Sequence, residues 1–320
     1  MWKTVIRRVL LMIPQVFILS ILVFILAKQM PGDPFKGMIT PDMDAATVEV
    51  MKVKSGFYDP WYVQYKNWIS DVIKGDFGNS IHYRMPVVKL LSERIKNTFA
   101  LSLLSVVLTY SIAIPLGLLA GRYNGSKIDN GIIIYNFISY AMPSFVFYLS
   151  MILIFGYKLH WFPTGGSVSV GIEPHTIKYM LSRLHHILLP ALCASVLSTT
   201  GIIQYLRNEV IDAKTMDYVR TARSKGVPMK VVYKKHIFRN SILPIAAFFG
   251  FTIVGLLGGS VLIETVFSYP GMGSLFVEVI NVRDYSVITT LILLYGFLSL
   301  LGSLLSDIIM TIVDPRIRIE

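Results

Sequence analysis

Hydrophobic and polar positions alternate along this chain in long blocks, not residue by residue. Six stretches contain no Asp, Glu, Lys or Arg: 9–27, 99–120, 131–157, 187–206, 241–263 and 285–306. Each is close to the ~20 residues a helix needs to cross ~30 Å of hydrocarbon. A backbone in lipid finds no water to bond, so helices are the expected form, and the short alternating segments of a barrel are absent. The pattern predicts an all-α polytopic membrane protein with six transmembrane helices. The opening MWKTVIRR and the apolar run after it look signal-like. That run is longer than a signal peptide's, and no small-x-small site follows, so 1–28 is read as a retained first transmembrane helix.

Between the first two blocks, 29–97 form an external region with amphipathic helices. It begins with the turn cluster MPGDPF at 30–35. Trp61, Tyr65, Trp68, Ile69, Val72 and Ile73 then share one face of a short helix. That helix is read as a lid along the outer membrane surface, with a docking surface for an external partner as the alternative. GDFGNS at 75–80 closes it, and 86–96 reads as a second amphipathic helix leading into span two.

Residues 98–312 form a five-helix core, and 313–320 a cytoplasmic tail. In span two, Gly117 and Gly121 make a small-xxx-small pair that permits close helix contact. The loop RYNGSKIDN is short, which makes spans two and three antiparallel neighbours. In span three, Asn136, Ser139, Tyr140, Pro143 and Phe147 fall on one helical face. Polar groups inside a span turn from lipid, toward either interhelical hydrogen bonds or a translocation path. Gly255, Gly258 and Gly259 in span five allow close packing or local unwinding around such a path. The candidate path residues are Asn136, Ser139, Tyr140, Phe147, Gly255 and Gly259. Glu264, at the outer end of span five, is expected at the interface.

Charge supports this topology. The chain of 320 residues is 54% hydrophobic and 15% charged, with a net charge of +11. Soluble domains carry about a quarter charged residues. With the N-terminus inside, 1–8, 121–130, 207–240 and 307–320 are cytoplasmic and hold 16 Lys and Arg, whereas the external 158–186 and 264–284 hold 4. The positive-inside rule therefore accounts for most of the basic excess, and a nucleic-acid partner is not indicated.

Catalytic chemistry is missing. Cys193 is the single cysteine, and His160, His175, His185 and His186 lack metal-ligand spacing. There is no GxxxxGK[ST], HExxH or GxSxG, so no catalytic or metal site is assigned. Spans two to six lack interior ionisable residues, which argues against a proton- or sodium-coupled carrier working without ATPase partners. If the protein moves solute uphill, the energy must come from elsewhere.

One long polar segment interrupts the second half. From Arg207 to Asn240 it carries 9 Lys and Arg against 3 Asp and Glu. It reads as a helical hairpin over 207–241, with Gly226 ending the first helix and Pro228 opening the second. DYVRTARSKG at 217–226, with HIFRNSILP at 236–244, resembles the "EAA" loop of bacterial binding-protein-dependent ABC importer permeases. The likeness to the oligopeptide/dipeptide and nickel branch, as its first (B-type) subunit, extends over nearly the whole chain through MPGDPF, GDFGNS, WFPTGG, SYPGMG and RDYSV. Two departures are Arg220, Thr221 and Ala222 in place of Glu-Ala-Ala, and a Gly226-to-Pro244 spacing longer than the general pattern; both are usual for the peptide branch.

The resemblance implies a type I ABC importer permease fold in the bacterial plasma (inner) membrane, with both termini cytoplasmic. It implies a second permease subunit, two ATP-binding subunits, an extracellular or periplasmic substrate-binding protein and membrane lipids as partners. ATP and magnesium would belong to the ATPase subunits, with no cofactor in this chain. Tyr218, Arg220, Thr221, Ala222, Arg223, Lys225 and Gly226 would form the ATPase-coupling helix. In that picture small Ala222 lets the partner approach, Gly226 sets the exit angle, and the cations contact the partner. Peptide cargo is the leading expectation; nickel or another small cargo on the same architecture is the alternative.

Overall fold

The computed structural model describes residues 2–30, 45–54 and 56–313, all of it helix and loop apart from one isolated bridge between Asn79 and Pro86. The turn cluster at 30–35 and the tail at 313–320 fall almost wholly outside these residues. Helix α1 (Trp2–Gln29) runs unbroken through Pro14. Outside the first block lie α2 (Ala45–Lys54) and α3 (Trp61–Ile73). Helix α3 rests on the C-terminal half of α1: Tyr65 Oη meets Ser20 Oγ at 2.7 Å, and Phe24 packs on the rings of Tyr65 and Trp68 at 5.5 and 5.7 Å. Tyr65 and Trp68 of α3 are thus turned toward the first span.

The second block corrects the expectation of a separate amphipathic helix at 86–96. Helix α4 is continuous over Val87–Arg122, 36 residues, because neither Gly nor Pro intervenes before Pro115. Its first turns are amphipathic as read: Val87, Leu90 and Leu91 are buried against Met272, Leu275, Val279, Val287, Ile288 and Leu291.

Span three departs further. Helix α5 (Lys127–Ala141) and α6 (Ser144–Met151), which continues as a π-helical stretch to Lys158, meet at a 99° bend. Pro143 has no N–H for the helix, and it forces the preceding Met142 into an extended conformation (φ −81°, ψ 122°). Of the five residues read onto one face, Asn136, Ser139 and Tyr140 therefore lie in α5, Phe147 in α6, and Pro143 at the bend between them.

Helix α7 (Ile177–Ala213) spans the fourth block and overshoots it at both ends. Two short elements follow, α8 (Asp217–Ser224) and α9 (Met229–Val231); a π-helical segment, Val232–Ile237, then leads into α10 (Phe238–Ser241). The fifth block is α11 (Leu243–Gly258) and α12 (Val261–Val266), separated at Gly259, whose φ of 72° no ordinary helix residue adopts. The unwinding allowed for at the span-five glycines is thus located at Gly259. Helices α13 (Met272–Val282) and α14 (Tyr285–Val313) complete the fold. Among the described residues five helical segments are long and apolar enough to cross a membrane, and six when the bent α5–α6 pair counts as one span.

At the centre, α4 packs along α7. A Cβ on Gly121 would lie 2.6 Å from Val210 Cβ and 2.9 Å from the Arg207 carbonyl; one on Gly117 would lie 3.0 Å from Leu206 Cβ. The small-xxx-small pair of span two is therefore used against span four. Near the start of α1 Arg8 pairs with Asp307 of α14 at 2.9 Å, fixing the two helices together.

Candidate functional site

The polar hairpin begins where α7 ends. Thr215 Oγ1 donates to the Asp212 carbonyl at 2.8 Å as the chain turns, and α8 starts at Asp217. Its end is a Schellman motif: the N–H of Gly226 donates to Arg223 O at 2.9 Å, and that of Val227 to Ala222 O at 3.2 Å. Gly226 has φ 72° with open space around a hypothetical Cβ, so its requirement is one of backbone conformation. Pro228 then caps α9 from outside (φ −56°, ψ 138°), as its fixed φ and missing donor favour.

The two faces of α8 differ sharply. Val219 and Ala222, spaced i, i+3, are buried among Leu206, Val210, Ala213, Val232 and Ile237. Tyr218, Arg220, Thr221, Arg223, Lys225 and Gly226 are exposed. Ala222 thus faces the chain's own core: its small side chain lets α8 sit close on α7, where the sequence reading had it admitting a partner. Arg220 keeps 74% of its side chain in solvent and only grazes Asp217 at 3.8 Å, a contact of little energy. Partial burial, and then the Glu209 carboxylate, raise the Tyr218 phenol above the ordinary tyrosine value. Lys230, Lys234, Lys235 and Arg239 extend the exposed basic surface along the second arm.

The candidate path residues do not converge. Asn136 is buried in α5 with neither side-chain atom hydrogen-bonded. Ser139 is half-buried, and Tyr140, beside the bend, is 86% exposed. Phe147 lies beyond the bend, packed on the cluster of Tyr148 and Ile152. Gly255 is exposed with nothing near a hypothetical Cβ, whereas Gly259 is enclosed: a Cβ there would lie 2.5 Å from Glu264 Oε1.

Glu264, near the end of span five, is enclosed by the chain itself. It is fully buried in a segment, Phe249–Val266, apolar enough to span. Its Oε2 accepts from the N–H groups of Gly273 (2.7 Å) and Ser274 (3.0 Å), and Oε1 from Thr98 Oγ1 (2.9 Å). Thr98 Oγ1 in turn accepts from Met272 N at 2.7 Å. The carboxylate therefore caps the amino terminus of α13 and ties it to α4, which accommodates a buried acid. Alongside, Asn97 bonds Pro270 O at 2.9 Å and receives Arg183 Nη2 at 2.7 Å.

Two motifs read separately also meet. Ser80 Oγ of GDFGNS donates to Asp284 Oδ2 of RDYSV at 2.5 Å, joined by the His82 N–H at 3.1 Å. The adjacent histidines are engaged with backbone: His185 Nε2 with Trp161 O and His186 Nδ1 with Ser182 O, each at 2.8 Å.

Comparison with known proteins agrees with this architecture. The model of the binding-protein-dependent transport system inner membrane component family matches residues 113–319, and that of the family's N-terminal region matches 1–102. Oligopeptide transport system permease protein AppB of Bacillus subtilis is 40% identical, over 98% of each chain. Glutathione transport system permease protein GsiC of Escherichia coli is 32% identical, over 99% of each chain. A solved structure of the MetNI methionine ABC transporter, described as inward facing, superposes with a TM-score of 0.54 at 17% identity, over 71% of this chain and 97% of that one; it bears on the fold alone. With family models covering nearly its whole length, the chain belongs to the binding-protein-dependent transport system inner membrane components, with their type I ABC importer permease fold.

Proposed function

We propose that this multi-pass membrane protein, a transport subunit and not an enzyme, is one of two permease subunits of an ATP-driven peptide importer. In this reading it sits in the bacterial plasma (inner) membrane with both termini cytoplasmic, and it forms half of a path for peptides delivered by an external binding protein. Two ATP-binding subunits holding ATP and magnesium drive it from inside. Peptide cargo is supported by the names of relatives similar over their full length.

The observation that carries the proposal is the two-sided build of α8. One face is an apolar seat on the chain's own spans, and the other presents Tyr218, Arg220, Thr221, Arg223 and Lys225 to solvent. Such a helix suits a groove on a partner: it is rigidly founded and exposed where the partner docks. Closure of the ATP sites would then move packed spans as rigid bodies. Tyr140 and Ser139, at the bend of span three, are the candidate path residues best placed to change with that motion.

The test is purification in mild detergent, followed by uptake into proteoliposomes of peptides of graded length, with nickel in parallel. Two ATP-binding subunits, a second six-span chain and ATP-dependent peptide uptake are expected. A lone homo-oligomer that transports without ATP contradicts the proposal, and nickel uptake without peptide uptake reassigns the cargo.

A further inference from the structure

Beside the short loop between α4 and α5, a buried ion pair joins α5 to α7. Arg207, two turns before the end of α7, meets Asp129, in the first turn of α5, through two parallel hydrogen bonds: Nε to Oδ1 at 2.6 Å and Nη2 to Oδ2 at 2.9 Å. The Asp129 side chain is 1% exposed and that of Arg207 15%. Further bonds complete both groups: the Gly125 N–H reaches Asp129 Oδ2 at 2.8 Å, and Arg207 Nη2 reaches Asn124 Oδ1 at 3.1 Å. One residue past α7, Lys214 Nζ donates to the carbonyls of Gly121 (2.7 Å) and Arg122 (3.1 Å), the last turn of α4. A helix leaves these carbonyls without an internal partner, so Lys214 caps α4 from another element. Arg122 in turn lies over the ring of Tyr233, 4.9 Å from its centroid, in the second arm of the hairpin.

Stability alone is a weak reason for such a cluster. Desolvating two ions costs several kcal/mol, and apolar residues of similar volume often hold a fold as well. A bidentate pair adds direction: it fixes the rotation and register of the elements it joins, which apolar contact does not. Lys214 also stands in the three-residue link between α7 and α8, so displacement of α8 acts on it at once. Beneath it the backbones of α4 and α7 are in contact at Gly121, leaving no slack to absorb the movement.

We propose that Asp129, Arg207 and Lys214 are positioning residues of energy coupling. They clasp the cytoplasmic ends of α4 and α5 to α7, so that the three helices follow α8 as one body. This rests on the reading of α8 as the element an ATPase moves. It adds that the movement reaches the bent span three, through α5, by way of this cluster.

The test uses the complete complex in proteoliposomes and reads peptide imported per ATP hydrolysed. Arg207→Gln removes the pair's charge and fork, Arg207→Lys keeps the charge without the fork, and Lys214→Met keeps the aliphatic stem without the donor. Arg207→Gln and Lys214→Met are expected to co-purify with the ATP-binding subunits and to hydrolyse ATP, with import per ATP down about tenfold, within the usual range of coupling between sites. Arg207→Lys is expected to fall between these and the wild type. Variants that assemble and import at the wild-type ratio overturn the proposal. So does loss of assembly in all three, which makes the cluster purely structural. Failure of the coupling reading itself is seen separately, in a wild-type chain that needs no ATP-binding subunit.

Discussion

Gly226 offers a perturbation whose magnitude follows from geometry. Its φ is 72°, and nothing lies within 4 Å of a Cβ built there. A side chain at this position therefore meets no clash, and the cost of substitution is that of holding an L-residue in the left-handed region, about 1–2 kcal/mol. Asn tolerates that region best, and β-branched residues least. A chain that escapes the strain by leaving it gives up the bonds from Gly226 N to Arg223 O and from Val227 N to Ala222 O, each of about 1 kcal/mol. Either way the turn after α8 is weakened by roughly tenfold in population, since 1.4 kcal/mol is a factor of ten. Arg223 and Lys225, which flank the turn, lose their fixed direction. The site is exposed and outside the spans, so insertion proceeds normally. In proteoliposomes, import per ATP is expected to fall in the order Gly, Asn, Ala, Val at position 226, with protein yield unchanged. Equal performance of Gly226→Val and wild type would refute the reasoning. So would Gly226→Asn failing as badly as Gly226→Val, because the left-handed requirement would then not be the cause.

Three further outcomes follow from the geometry. Gly121→Leu should destabilise the chain in detergent by about 1–3 kcal/mol through overpacking against Val210, and more than Gly117→Leu, whose nearest contact is at 3.0 Å against 2.6 Å; thermal unfolding midpoints measure both. Glu264→Ala leaves the Gly273 and Ser274 amides and the Thr98 hydroxyl without an acceptor and should cost about 3 kcal/mol or more, while Glu264→Gln keeps an acceptor oxygen and costs less; the same melting assay ranks them. Tyr140→Arg, at an exposed position beside the bend, should alter peptide uptake while the chain still co-purifies with its partners; dissociation of the complex would make Tyr140 a packing residue instead.

What was legible in the sequence was what is local. The apolar blocks could be read because a span is defined by composition over about twenty residues. The hairpin could be read because the glycine that ends α8 and the proline that opens α9 lie two residues apart. Breaks inside spans were harder. Pro14, Pro115 and Pro190 all sit in helices that continue, whereas Pro143 bends its span by 99°. Packed neighbours can re-satisfy the freed backbone groups of a span, and sequence spacing does not display such neighbours. Long-range polar pairs were invisible for the same reason: Thr98 and Glu264 are 166 residues apart and Asp129 and Arg207 are 78 apart. At Ala222 the small size of the side chain is legible, but size alone does not give its direction. The i, i+3 spacing with Val219 was the available signal that both face inward, toward the chain's own spans.

Docking of the outward face of α8 on an ATP-binding subunit is open to direct test. A photo-crosslinking residue in place of Arg220, 74% exposed on that face, tests it in the intact complex with minimal disturbance of the fold. Docking requires a crosslink to an ATP-binding subunit whose yield changes when nucleotide is added. Crosslinks formed only with lipid, or only with another copy of this chain, would contradict it.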